Sequence, residues 1–283
     1  MSLKPYSQYG RVFSVYLGTE NQDIVRDVGV LRSTFKIIKL STGVQNTLKL
    51  ELTNLSSDTR NLYKKDDKII IQAGYVEKDS VVFKGDIRTV THHKEGSDTI
   101  TTIDAVDGLV SASTNISVGF TPGSKVSQMI SDIAKLSGTK AKDTPLLEKI
   151  NIVKNGLAKV GTMKSVMDDV AKMTKSDWSM QNGELKVTPV GKSDQKAIFT
   201  ISSETGLIGT PSKKEESSKI KINGWQIKTL LNPFLEPRNR VVVECEAMTK
   251  GVYIVYSVEH TGDTHGDEWS TQLELVEDKV YTI

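Results

Sequence analysis

One cysteine, Cys245, occurs in 283 residues, so no intrachain disulfide can form. It lies in the run RVVVECEA, where alternation gives it one face with Val241 and Val243, and no nearby His or helix start is evident to lower its pKa. It is expected to be a small buried hydrophobe. No apolar run approaches the roughly 18 residues of a membrane helix. The N-terminal stretch MSLKPYSQYGRVFSVYL has no apolar core and no small-residue cleavage site, so it is not expected to act as a signal peptide. The chain is expected to fold in a cytoplasm and to have no membrane partner. Charge of one sign is missing too: 37 basic residues face 35 acidic ones, for a net +2. They are mixed along the chain, with no long basic stripe, which argues against nucleic acid as the main partner. Neither G-x-x-x-x-G-K-[ST] nor G-x-S-x-G occurs. GLIGTP at 206–211 lacks the lysine and the helix signal of a phosphate loop and reads as a turn between strands.

What is present is short strands. VFSVYL (12–17), TFKIIKL (34–40), LKLELTNL (48–55), KIIIQAGYV (68–76), VVFKGDIRTV (81–90) and TITTIDAV (99–106) carry β-type composition, with Leu48, Leu50 and Leu52 on one face. HHKEGSD reads as a hairpin loop around Gly96. After Thr121-Pro122 the period changes. Val126, Met129, Ile130, Ile133 and Ala134 fall at helical spacing, with Thr121 as cap, Pro122 at the first helical position and Gly138 as stop. A second stripe follows Thr162, through Met163, Val166, Met167, Val170, Ala171 and Thr174. Asn182-Gly183, between Trp178/Met180 and Leu185/Val187, predicts a tight hairpin, because a type I′ turn needs positive φ at both central residues. KKEESSKIK at 213–221 reads as a solvated loop or linker. KIKINGWQIKTLL, NRVVVECEA, GVYIVYSVEH and EWSTQLELV then return to strand composition.

The first and last thirds follow one pattern. LKLELTNL, a polar loop with Tyr63, KIIIQAG, FKGDIRTVTHH, EGSD and TITTIDAVD match WQIKTLLNPFL, EPRN, RVVVECE, YIVYSVEHTGD, HGDE and WSTQLELVE in order. His92 and His260 occupy the same place. We read the chain as mainly β with α+β character: one barrel over 1–118, an α+β insert of two helices and a hairpin over 119–195, and a second barrel over 196–283. A doubled unit lets three chains present six similar domains, and so match a six-fold ring on one side and a three-fold object on the other.

Catalytic candidates are few. HTGDTHGDE, from His260 to Glu268, gathers two histidines and several carboxylates as zinc ligands could, but H-x4-H is not a helical ligand spacing. A polar hairpin with capping Asp residues is the simpler reading. No carboxylate pair stands in an apolar setting that would raise one pKa for sugar cleavage. Catalytic residues, metal and cofactors are therefore all expected to be none. The run TLLNPFLEP is a candidate interface: Leu230, Leu231, Phe234 and Leu235 are large apolar residues around the turn-forming Asn232 and Pro233. The alternative is that they cap the barrel core.

GLIGTPSK, GWQIKTLLNPFLEPRNRVVVE and GVYIVYSVEHTGDTHGDEWSTQLEL, in that order, resemble the C-terminal half of tail or baseplate hub proteins of contractile-tailed bacteriophages, the late control protein D-like hubs. The likeness is good over 195–283 and looser before it, where Trp178 to Val187 resembles that family's hairpin. The resemblance implies two tail-tube-like antiparallel β-barrels per chain and a homotrimeric hub with a pseudo-six-fold ring. It further implies partners in the tail tube, the central spike and the baseplate wedge proteins, with DNA only as cargo through a lumen and residence in the virion. The family has no catalytic residues to carry over. Two other function classes stay open on the sequence: a metal-dependent cell-wall hydrolase acting through His260 and His265, and a receptor- or carbohydrate-binding β module. The second would need an aromatic platform built from only eight Tyr, six Phe and three Trp.

Overall fold

A computed structural model describes residues 10–18, 23–26, 31–41, 45–142, 155–190, 192–193, 198–214, 224–249 and 251–277. The start of the N-terminal stretch, the part of KKEESSKIK from 215 on, and the boundary at 195 lie outside them.

The chain is mainly β, and most of its strands join one 13-stranded sheet. The first half supplies β1 (Arg11–Gly18), β2 (Asp23–Arg26), β3 (Ser33–Leu40), β4 (Thr47–Thr53), β5 (Lys68–Tyr75), β6 (Lys78–Glu95) and β7 (Asp98–Val106). The second half supplies β13 (Ile198–Ser202), β14 (Leu207–Lys214), β15 (Gly224–Leu230), β16 (Arg240–Glu244), β17 (Val252–Asp263) and β18 (Trp269–Glu277). No closed barrel forms among the described residues. Instead, β17 pairs antiparallel with β3, so the two halves share one sheet. One pairing in it, β13 with β16, is parallel.

The two halves repeat one pairing order. β3, β4, β7, β6 and β5 lie side by side, and β14, β15, β18, β17 and β16 do the same. The agreement reaches single residues. A bulge interrupts β6 between Ile87 and Thr89, and β17 between Val255 and Ser257. At the corner before β5, Asp66 has φ 71 and donates its N–H to Ile87 O (2.8 Å). Before β16, Arg238 has φ 72 and donates to Val255 O (2.8 Å). His92 faces Thr101 with Nδ1 3.1 Å from Oγ1, and His260 faces Thr271 at 2.9 Å.

Alternation along each strand sends one side-chain set inward. Phe35, Ile37, Leu48, Leu50, Leu52, Ile69 and Ile71 build the first core, together with Phe13, Val15 and Phe83. Leu231 and Trp269 of the second half also enter it. A separate core gathers Val241, Val243, Tyr253, Val255, Val258, Leu273 and Leu275. Cys245, just past β16, is only half-buried at the rim of that core, because the strand ends one residue before it.

Between the halves lie β8 (Asn115–Phe120), α3 (Val126–Leu136), β9 (Lys140–Ala141), β10 (Leu157–Thr162), α4 (Met163–Thr174), β11 (Ser176–Gln181) and β12 (Glu184–Pro189). Two short helices precede these, α1 (Ser57–Arg60) and α2 (Leu109–Ser113). β8 pairs with β10; β11 pairs with β12 across Asn182 (φ 55) and Gly183 (φ 82), the expected tight turn. The helical stripes pack against this hairpin in a third core of their own.

Three local expectations change. The helix after Pro122 starts at Val126, because Thr121-Pro122-Gly123-Ser124 forms a turn first. Gly123 has φ 90, and Ser124 donates its N–H to Thr121 O at 3.2 Å, as proline-glycine at the centre of a type II turn requires. Its end behaves as expected: Gly138 (φ 73) donates to Lys135 O and Thr139 N–H reaches Ala134 O. HHKEGSD is mostly strand, since β6 runs to Glu95 and only Gly96 and Ser97 turn. GLIGTP is not a turn: Leu207 onward is β14, bulged between Ile208 and Ser212.

Thr162 caps α4 by accepting Ser165 N–H on its side chain at 3.3 Å. Thr162→Ala is expected to cost about 1 kcal/mol, read as a lowered urea midpoint with an unchanged slope.

Candidate functional site

The segment from Leu230 to Leu235 links β15 to the corner before β16. Asn232 organises it: its N–H donates to Thr271 Oγ1 (3.0 Å) and its Oδ1 accepts Phe234 N–H (3.1 Å). Leu231 points into the first core and Leu235 into that of the second half. Pro233 is buried, Leu230 half-buried, and Phe234 is 40% exposed. The run therefore staples two cores together and leaves one aromatic ring outside.

The two histidines of HTGDTHGDE are not brought together as ligands. His260 sits inside β17 with no exposed surface. Burial, reinforced by Lys39, pushes its pKa down to about 3, so the ring is neutral. Its Nδ1 lies 2.9 Å from Thr271 Oγ1, which also accepts Asn232 N–H. His265 is exposed in the connecting loop, held by its N–H to Asp263 Oδ1 at 2.9 Å. No cluster of three metal-ligating side chains occurs among the described residues. A metal centre at His260 and His265 thus has no geometric basis.

Sequence reasoning missed a buried polar cluster where all three cores meet. The hairpin tip at Asn182-Gly183 inserts there. Asp107, at the end of β7, accepts Asn182 N–H on Oδ2 (2.7 Å) and Gly183 N–H on Oδ1 (2.8 Å). Asn46 Nδ2 donates to Asp107 Oδ2, Met180 O and Gln181 Oε1. Lys39, fully buried, donates to Asn182 Oδ1 (3.2 Å), and Asn182 Nδ2 reaches Glu236 Oε1 (3.3 Å). Lys142 pairs with Glu236 at 3.6 Å, Lys186 Nζ donates to Pro237 O at 3.4 Å, and Arg238 pairs with Asp177. The insert's hairpin is therefore tied to both halves of the sheet.

The electrostatics follow from burial. Desolvation lifts Asp107 to about 6, despite the donors and the Lys39 charge that pull the other way. Desolvation lowers Lys39, with Glu236 and Asp107 opposing it. Burial also pushes Glu236 up, but Lys39, Lys142 and Lys186 together hold it below the ordinary carboxylate value. A signal for Lys39 was present: in TFKIIKL it shares its alternation with Phe35 and Ile37, so the period-two pattern aims it inward.

No protein-family model matches the sequence, and no curated protein does. Solved structures do. A 43 kDa tail protein of prophage MuSo2 from Shewanella oneidensis superposes with TM-score 0.67 at 11% identity, over 96% of this chain and 99% of that one. The fold is shared with phage tail proteins. A tail protein from Neisseria meningitidis MC58 gives TM-score 0.68 at 12% identity, covering 96% and 98%. The Escherichia coli c3393 protein, a type VI secretion component described as similar to the T4 tail proteins gp27 and gp5, gives 0.56 at 8%, covering 89% and 74%.

Proposed function

We propose that this chain is a structural, non-enzymatic hub of a phage tail baseplate: a homotrimer whose pseudo-six-fold ring joins a hexameric tail tube to a trimeric central spike. The observation that carries this is the residue-level repeat of the strand pairing, with its twin bulges, twin left-handed corners and twin His–Thr pairs. One chain offering the same unit twice is the means by which three subunits present six equivalent faces. The fold shared with tail proteins over nearly the whole length supports the setting. In this reading the units are a tube-like barrel over 1–118, an insert over 119–195 and a second tube-like barrel over 196–283, and the three apolar cores fall mainly one to each, with Leu231 and Trp269 crossing into the first. The barrels are completed in the assembly. Baseplate wedge proteins contact the outside, the exposed Phe234 with half-buried Leu230 beside it being one such contact, and DNA passes only as cargo.

Light scattering of the chain alone and mixed with the spike and tube proteins of its own tail tests this. A three-chain particle that captures both is expected. A monomer that ignores both would overturn the proposal.

A further inference from the structure

The two copies of the repeat differ in one respect that the fold itself does not explain. In the second copy, the distal half of β17, Ser257–Asp263, is covered along its outer edge by β3. In the first copy, the corresponding half of β6, from Thr89 to Glu95, pairs only with β7 among the described residues. The burial follows the pairing. His260 has no exposed surface, whereas Thr91, His92, His93, Lys94 and Glu95 are all exposed. A long strand edge left bare, with no proline and no bulge beyond Thr89 to protect it, is a template for another strand.

The repeat also says which strand is missing. β3 flanks β4 in the first copy as β14 flanks β15 in the second. β14 therefore corresponds to the strand that covers β17. Among the described residues β14 pairs with β15 alone, so its outer edge is open as well. Within one chain the strand order separates β14 from β6 by β15, β18, β17, β3, β4 and β7. They cannot meet each other in one molecule without closing that sheet.

We propose that the open edge of β6, Thr89–Glu95, pairs antiparallel with β14 of a second copy of this chain, repeating between subunits the β17–β3 junction found within one. This rests on the ring reading in that the second copy is the neighbour in that ring. Contacts of this head-to-tail kind close into a ring when the rotation per step permits. The register follows from the twin. Thr261 lies opposite Lys36, and Lys36 opposite Lys49. Thr261 and His93 face Ser270 and Ile100, their matching partners, while Ser212 faces Gln226, the counterpart of Lys49. His93 of one subunit therefore stands opposite Ser212 of the next. Both side chains are exposed in the single chain. β14 differs from β3 by its bulge, which lies beyond Ser212 toward Ile208 and leaves the Ser212–Lys214 end regular.

Disulfide trapping in the full chain tests the seam, in a Cys245→Ser background. The pair His93→Cys with Ser212→Cys places the two sulfurs across the join. The displaced pair Thr89→Cys with Ser212→Cys sets them four residues out of register, roughly 13 Å along the strand, too far to bridge. Under mild oxidation, with spike and tube proteins present, on the order of tenfold more linked product is expected from the first pair, ending at three chains. Equal linkage from both pairs would mean chance collision and would overturn the seam. A multi-chain particle by light scattering with no link at His93 and Ser212 would overturn the seam and leave the ring standing. Neither particle nor link would remove both together.

Discussion

Asp107→Ala is expected to destabilise the fold by about 3–5 kcal/mol, more than any surface change, read as a fall in the urea midpoint. The carboxylate accepts two backbone N–H groups of the Asn182-Gly183 turn and the side-chain amide of Asn46. Removing it strands the two backbone donors of the turn in a buried site beside Lys39, and each orphaned donor costs about 1–3 kcal/mol, while Asn46 Nδ2 keeps Met180 O and Gln181 Oε1. Asp107→Asn separates shape from chemistry. It keeps the volume but turns one acceptor into a donor aimed at N–H groups, so it is expected to rescue little.

The same residue gives a pH signature. Folding raises its pKa from 3.8 to about 6. Its contribution is therefore greatest below the unfolded value and is lost as pH rises through about 6, a change on the order of 2–3 kcal/mol by pH 7. His260 slopes the opposite way. Its folded pKa is depressed to about 3, so its contribution is present above 6.5 and falls as pH drops. Wild type alone mixes the two. Subtracting the Asp107→Ala profile isolates the carboxyl: the gap between the two proteins should widen from pH 7 to pH 5. A gap that stays flat or narrows would contradict the desolvation argument.

Trp269→Ala is the second large effect, at about 3–5 kcal/mol. The indole is almost fully buried and lies edge-on to Phe35 at 5.4 Å, while Phe35 stacks on Phe13 at 5.1 Å. Arg11 lies over the indole ring at 5.4 Å and donates to Asp263 O, Gly266 O and Asp267 O. The tryptophan comes from β18, yet it fills the core of the first half, so its loss opens a cavity at the join of the two. Gly262 completes this arrangement. A Cβ there would meet the Phe35 ring at 2.4 Å and Trp269 at 2.7 Å. Gly262→Ala is expected to cost about 1–3 kcal/mol through overpacking. Near-ultraviolet circular dichroism reports the ring geometry alongside the denaturation midpoints. A normal midpoint in either variant would show that the two halves do not depend on this contact.

Much of this fold could be read from the chain by period alone. Leu48, Leu50 and Leu52 alternate and are buried; Met163, Val166, Met167 and Val170 repeat at helical spacing and are buried; Asn182-Gly183 turns. These signals are local, and local backbone chemistry decides them. The errors had local causes too. Proline at a helix start and proline in a type II turn share a composition, and Gly123 decided between them. Strand ends such as Glu95 depend on a partner strand that no window of residues displays. The junction was harder to see because Lys39, Asn46, Asp107, Asn182 and Glu236 are scattered along the chain and look like ordinary surface residues one at a time. Only Lys39 betrayed itself, by falling on the apolar register of its strand. As for the staple at Leu230–Leu235, the sequence marked the apolar residues but could not say that Leu231 and Leu235 face two different cores.

The pairing of β3 with β17 has a consequence for how the molecule is made. A ribosome delivers these two strands about two hundred residues apart, which at 5–20 residues per second is some ten to forty seconds. Throughout that interval β3 carries an uncapped row of amides and carbonyls, and the first half lacks the tryptophan that fills it. Such late, distant closure predicts slow maturation of each newborn subunit and a nascent chain that profits from a holding chaperone.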